Sequence, residues 1–207
     1  MRPTRHEIRY FAIKQNHNTM LKTILTWGLI AGLIMMGVFF LVIMKKDFSE
    51  MDFDSGQFIG YASMILAFGA GFFGVRQLRD KSKAKWGFLK AWGAGLGIVL
   101  VGGMIYSAGW VYYAENNPEQ VEAMMDMYAK SIQDNPELTD AQKEAQLQEM
   151  ESFSALYDNP LSNFLVTLLI EPLPPGIIIS LIIAIILRKP SVNQHNDQLL
   201  DENIASA

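Results

Sequence analysis

The stretch 161-LSNFLVTLLIEPLPPGIIISLIIAIIL-187 contains a single charged side chain, Glu171. About 20 helical residues at about 1.5 Å each cross about 30 Å of hydrocarbon, so a run of this length reads as a transmembrane helix. Three further stretches, Thr23 to Met44, Ser55 to Val75 and Ala91 to Ala114, carry no charge at all. Lipid offers a backbone no hydrogen-bond partner, so each must satisfy its own amides and carbonyls as a helix. The expected fold is all-α, a four-transmembrane-helix bundle with helices at about 23–44, 55–75, 91–114 and 161–187. It forms one membrane domain, 23–190, between polar tails 1–22 and 191–207.

The chain has 207 residues, no cysteine and a net charge of −4. That length accommodates a bundle and one small extramembrane element, and no separate soluble domain. Without cysteine, neither disulfides nor thiolate metal sites are available. The first apolar run is longer than a signal-peptide core and ends in Met44-Lys45-Lys46 with no small-residue cleavage pattern, so it reads as an anchor. Met20-Leu21-Lys22-Thr23 resembles a membrane-protein N-terminus, which makes Met20 an alternative start.

The negative net charge hides a strong asymmetry. Arg2, Arg5, Arg9, Lys14 and Lys22 precede helix one; Arg76, Arg79, Lys81, Lys83, Lys85 and Lys90 lie between helices two and three; Arg188 and Lys189 follow helix four. The other two connections hold only Lys45, Lys46, Lys130 and Lys143. The positive-inside rule therefore predicts cytoplasmic termini and a cytoplasmic middle loop in the cell inner membrane. Anionic lipid head groups are the expected partners of that basic inner face. The 115–160 segment carries eleven acidic residues against two lysines and is expected outside. Trp27, Trp86 and Trp92 at the inner ends, and Trp110, Tyr112 and Tyr113 at the outer end of helix three, read as interfacial belts.

Within 115–160 the pattern predicts an extracytoplasmic helical hairpin. Asn117-Pro118-Glu119 opens one helix, with Val121, Met124, Met125, Tyr128 and Ile132 on a single face. Asn135-Pro136 ends it. Thr139 with Gln142 is a capping-box pattern opening a second helix, which turns Leu147, Met150, Phe153 or Ser154, and Tyr157 inward before Asn159-Pro160.

Small residues recur at four-residue spacing. Gly28 and Gly32, Gly56 and Gly60, Gly71 and Gly74 with Ala67 and Ala70, and Gly93 and Gly97 are the expected packing positions, since close backbone approach drives helix association in lipid. Helix two against helix three is the contact most firmly expected, and a homo-oligomer or protein partner on these faces is the alternative use. Gly69-Ala70-Gly71-Phe72-Phe73-Gly74 matches the dinucleotide fingerprint in letters, but no strand precedes it and no water-facing turn cradles a phosphate. No cofactor and no nucleic-acid partner is expected. His6, His17 and His195 lie in the tails and form no metal constellation, and an enzyme is not expected.

Glu171 is the exception. It precedes Pro172, with Pro174, Pro175 and Gly176 close behind, so amide donors are missing and the helix must break. An acid beside a broken membrane helix is how many transporters build a midplane ion site. Alternatively the span begins at Pro172, covering about 24 Å, with the prolines in a first turn and Glu171 at the outer interface. The depth of Glu171 and its polar neighbours separate these readings; Ser63, Tyr61 and Ser107 are the candidate neighbours.

Thr26 to Gly32 (TWGLIAG), Ile59 to Phe68 (IGYASMILAF) leading to Phe73-Gly74-Val75-Arg76, Tyr106 to Tyr113 (YSAGWVYY), Tyr157 to Phe164 (YDNPLSNF) and Gly176 to Lys189 (GIIISLIIAIILRK) occur in one order and spacing. In these segments, over about Leu21 to Pro190, the chain resembles the bacterial integral-membrane family named domain of unknown function 4199. The resemblance implies a four-helix inner-membrane protein of a Gram-negative bacterium and carries no assigned activity. The sequence thus points to a non-enzymatic structural or accessory membrane protein, with a small ion-coupled carrier using Glu171 as the competing reading.

Overall fold

The computed structural model describes residues 5–43, 53–82 and 86–188, and side-chain surroundings for 18–42, 58–82 and 86–188. Among the described residues there is helix and turn and no strand. The elements are α1 (Arg5–Ile43), α2 (Phe53–Lys81), α3 (Phe88–Asn116), α4 (Pro118–Gln133), α5 (Asp140–Ser154), a 3₁₀ turn at Ala155–Tyr157, α6 (Pro160–Ile170) and α7 (Leu173–Leu187). Among the described residues, four segments are long and apolar enough to cross a membrane: Asn18–Val42, Phe58–Lys81, Phe88–Asn116 and the composite Pro160–Leu187. Leu25, Leu29 and Leu33 of α1, Ile65 and Leu66 of α2, and Ile178, Ile182 and Ile185 of α7 lie exposed on the outside of the bundle. Apolar surface this extensive suits a lipid surrounding.

The polar tail expected over 1–22 is instead helical from Arg5 onward. Residues 5–22 contain no glycine or proline, and a helix already nucleated in the apolar span propagates through such a sequence at little cost. The tail 191–207 lies outside the described residues.

Helix α3 is the axis of the bundle, in contact with α1, α2, α6 and α7. The expected contact of α2 with α3 is present, and that of α1 with α3 is the most extensive among the described residues. The reason is a ladder of glycine notches. A methyl group added at Gly28 would come 2.5 Å from Val101 Cβ, and one at Gly32 would come 2.7 Å from Ile105 Cβ. On α3, Gly97 would meet Ile24 at 3.0 Å and Gly109 would meet Met36 at 2.5 Å. Residue numbers advance together through all four pairs, so α1 and α3 run parallel in one register.

On its other side α3 meets α6 and α7 with the opposite sense. Added methyls would put Gly95 3.0 Å from Ser180 and Gly103 2.8 Å from Leu168 and 3.3 Å from Pro172, while Gly176 abuts Val99. This antiparallel register runs straight through the break between α6 and α7. Helix α2 fits in at Gly74, whose added methyl would fall 2.7 Å from Trp27, and at Gly71, 3.3 Å from Ile98. Trp27 also stacks on Phe73 and donates its indole N–H to Gln77 Oε1 at 3.2 Å.

Among the described residues Gly60 and Gly93 meet nothing within 4 Å, so the packing role expected of them finds no partner there. Both lie on outward faces, and spacing alone does not say which way a glycine points. The surroundings of Gly56 lie outside the described residues.

Substitution should separate the two kinds of glycine. Gly32→Leu is expected to destabilise the bundle by about 2 kcal/mol or more, because a bulky group must force α1 from α3. Gly60→Leu is expected to stay within about 0.5 kcal/mol of the parent, as surface substitutions do. Thermal unfolding of both variants in detergent, followed by helicity, checks the difference; equal losses would remove the ladder as the source of stability.

Candidate functional site

Helices α4 and α5 form two arms over one end of the bundle. Asn117 alone separates α3 from α4, and its amide turns back to donate to Tyr113 O at 2.9 Å rather than capping α4 as expected. Thr139 and Gln142 make the full capping box that starts α5: the Gln142 amide N–H donates to Thr139 Oγ1 at 3.4 Å and the Thr139 N–H to Gln142 Oε1 at 2.9 Å. Lys143 Nζ donates to Gln133 O at 2.6 Å, tying the start of α5 to the end of α4. Asn159 Oδ1 accepts the amides of Leu161 and Ser162, with Pro160 first in α6, so Asn159-Pro160 both ends the arms and begins the last span.

Between these arms and the bundle lies a cavity of about 630 Å³. Met124, Met125 and Tyr128 of α4 and Met150 and Phe153 of α5 form its roof, and Trp110 and Glu171 lie on the bundle side. A smaller cavity of about 210 Å³ adjoins it, sharing Trp110, Met125 and Tyr157 and reaching Asn163. The apolar faces read from the sequence are thus turned toward the bundle, with a space left between.

Glu171 closes α6. Its backbone N–H donates to Thr167 O at 3.0 Å, and α7 begins anew at Leu173. Pro172, Pro174 and Pro175 occupy the N-cap and first turn of α7, where amide hydrogens have no partner within the helix, so their missing donors cost nothing there. The Gly176 N–H donates to Pro172 O at 3.0 Å, the first bond of the new helix. The break is therefore a real end and a real start. Helix α6, eleven residues of mostly apolar sequence, lies on the arm side of Glu171, with Leu161, Leu165 and Leu169 exposed outward like the faces of the other spans. That places Glu171 about 16 Å along the composite span from Pro160.

The carboxylate does not hang free. Tyr106 of α3 donates its hydroxyl to Glu171 Oε2 at 2.9 Å, linking the break to the central helix. None of the three neighbours expected from sequence makes this contact: Ser63 donates to Gly60 O at 2.7 Å, Tyr61 is 47% exposed, and Ser107 Oγ is buried with no partner. Sequence reading also missed Asn163 and Thr167, both buried, with Thr167 Oγ1 donating to Asn163 Oδ1 at 3.1 Å. Asn163, Thr167 and Glu171 stand four residues apart, a polar stripe on one face of an otherwise apolar helix, and that spacing was the available signal. The Trp110 indole N–H is likewise buried without a partner. Burial, and then the charge of Glu171, push the Tyr157 hydroxyl up to about 12, so Tyr157 stays a neutral donor.

Away from the arms, Val75, Leu78 and Trp86 pack with Ala94, Ile98 and Ile183 into a continuous buried core. At that end lie Lys22, Arg76, Arg79, Lys81, Lys90 and Arg188, with Arg79 paired to Asp80 at 2.9 Å. Among the described residues no group of three or more His, Cys, Asp or Glu is placed to hold a metal ion.

No curated protein and no solved structure matches this chain. A family model does, over residues 26–189, which takes in all of α2 to α7, most of the first span and the Tyr106–Glu171 pair. The chain belongs to the family of proteins of unknown function DUF4199.

Proposed function

We propose that this is a non-enzymatic, multi-pass inner-membrane protein that works as a small carrier, with Glu171 receiving the coupling ion or the charged solute. The observation that supports it most is the Glu171 carboxylate on the wall of an about 630 Å³ cavity, held by Tyr106 from another helix, beside a helix break. An ionisable side chain within a membrane span costs a few kcal/mol and is retained where it works on a solute. A purely structural accessory protein would use the acid only for its interhelical bond to Tyr106. The break adds a means of movement: α7 starts its own hydrogen-bond ladder at Pro172, so it can tilt about residues 171–176 without opening α6. A chamber between the arms and the bundle, with a packed core beyond it, fits one of the two access states that a carrier requires.

The orientation proposed with it puts both termini and the 82–87 connection in the cytoplasm and the α4–α5 arms outside. The cationic end formed by Lys22, Arg76, Arg79, Lys81, Lys90 and Arg188 supports it, as does the excess of acidic residues in the arms. Anionic lipid head groups are then the natural neighbours of the inner face.

Because the chain has no cysteine, Ser131→Cys creates a unique thiol on α4. It should react with an impermeant maleimide in spheroplasts without lysis; labelling only after lysis would invert the topology. For the carrier role, Glu171→Gln keeps shape and hydrogen-bonding capacity and deletes the charge. In a host where deleting the gene impairs growth, the Gln variant at equal expression should resemble the deletion. Full complementation would leave the accessory role standing and remove the carrier.

A further inference from the structure

Resting on the carrier reading, we infer that the solute of the α4–α5 chamber is a lipophilic organic cation, seated with its charge on Glu171 and its apolar body against the roof. The chamber's charge is one-sided. Glu171 and Glu149 line it, and no lysine, arginine or histidine is among the described residues that do so. An anion entering there would meet carboxylates and electron-rich aromatic side chains, with no compensating cation among the described lining residues. A cation meets the reverse: the Glu171 carboxylate, plus the aromatic side chains of Trp110, Phe153 and Tyr157.

A bare metal ion is a poorer match, since among the described residues no group of three or more His, Cys, Asp or Glu is placed to hold one. Met124, Met125 and Met150 instead give a flexible, polarisable surface that moulds to varied apolar shapes. About 630 Å³ is within the range of sites for drug-sized ligands and far more than an inorganic ion needs. Tyr106 has a role in this arrangement. By donating to Oε2 it fixes the carboxylate rotamer and leaves Oε1 available to the incoming charge. The Asn163–Thr167 pair continues the polar stripe from the adjoining cavity down to Glu171.

Tetraphenylphosphonium and tetraphenylborate share size and shape and differ in sign, which makes them a direct probe pair. Titrated into the purified full-length chain in lipid nanodiscs, with empty nanodiscs as the partition control, the phosphonium should bind saturably and quench tryptophan fluorescence. The borate should only partition. Glu171→Gln should weaken phosphonium binding by about tenfold or more, as loss of a charge partner in a poorly hydrated site does. Met150→Lys, on the arm and outside the buried core, should set a like charge in the roof and weaken phosphonium binding by about tenfold or more while helicity is unchanged. It keeps the test decisive if the Gln variant folds poorly. Equal binding of both probes, no saturable binding of either, or phosphonium binding untouched by both variants would overturn the assignment. Loss of complementation by Glu171→Gln alongside absent phosphonium binding would leave the carrier standing with a different solute.

Discussion

The close approach of α3 to its neighbours is the constraint from which the rest of the molecule follows. Glycines at 97 and 109 admit α1, and glycines at 95 and 103 admit α6 and α7, on different faces of one helix. Between helices in lipid there is no hydrophobic drive, so the attraction must come from dispersion over surfaces that nearly touch. A glycine on one helix facing a β-branched or long side chain on the other gives such a surface together with a fixed register. That register places Tyr106 opposite Glu171. The Tyr106–Glu171 contact is thus a consequence of packing that begins within a turn of it at Gly103 and continues to Gly95, and shifting the α3–α7 register by one residue would aim Tyr106 elsewhere.

The last span is solved differently from the other three. A continuous helix of this length would have nowhere to put three prolines; two helices meeting at Glu171 put them where an amide hydrogen is not needed. The antiparallel contact with α3 continues on both sides of the junction, through Leu168 and Pro172 at Gly103 and then Gly176 at Val99. The break is therefore supported from outside itself, which lets a weak point in the backbone exist inside an otherwise rigid bundle.

Much of this was legible in the residues. Charge-free runs located the spans because the bilayer core tolerates little else, and Thr139 with Gln142 announced α5 through local hydrogen bonding that needs no tertiary partner. The Glu171-Pro172 break was legible for the same local reason. What stayed hidden depended on who faces whom. Gly60 and Gly97 have equally good small-residue spacing, yet only Gly97 has a knob, Ile24, waiting on a neighbour. Tyr106 sits among apolar residues with no periodic mark, and only the register of α3 against α6 brings it to the acid. Asn163 and Thr167 were readable as a stripe with Glu171, but a stripe names a face and not the helix that covers it.

Helix α5 contributes no buried residue of its own. Its capping box and the Lys143–Gln133 bond hold its start, while the rest leans over the chamber with a half-exposed lining face. Lifting it exposes little new apolar surface, so the opening free energy is small compared with that of the core helices. The roof is then the part of the described molecule that should part from the bundle first, well before any of the spanning helices loosens.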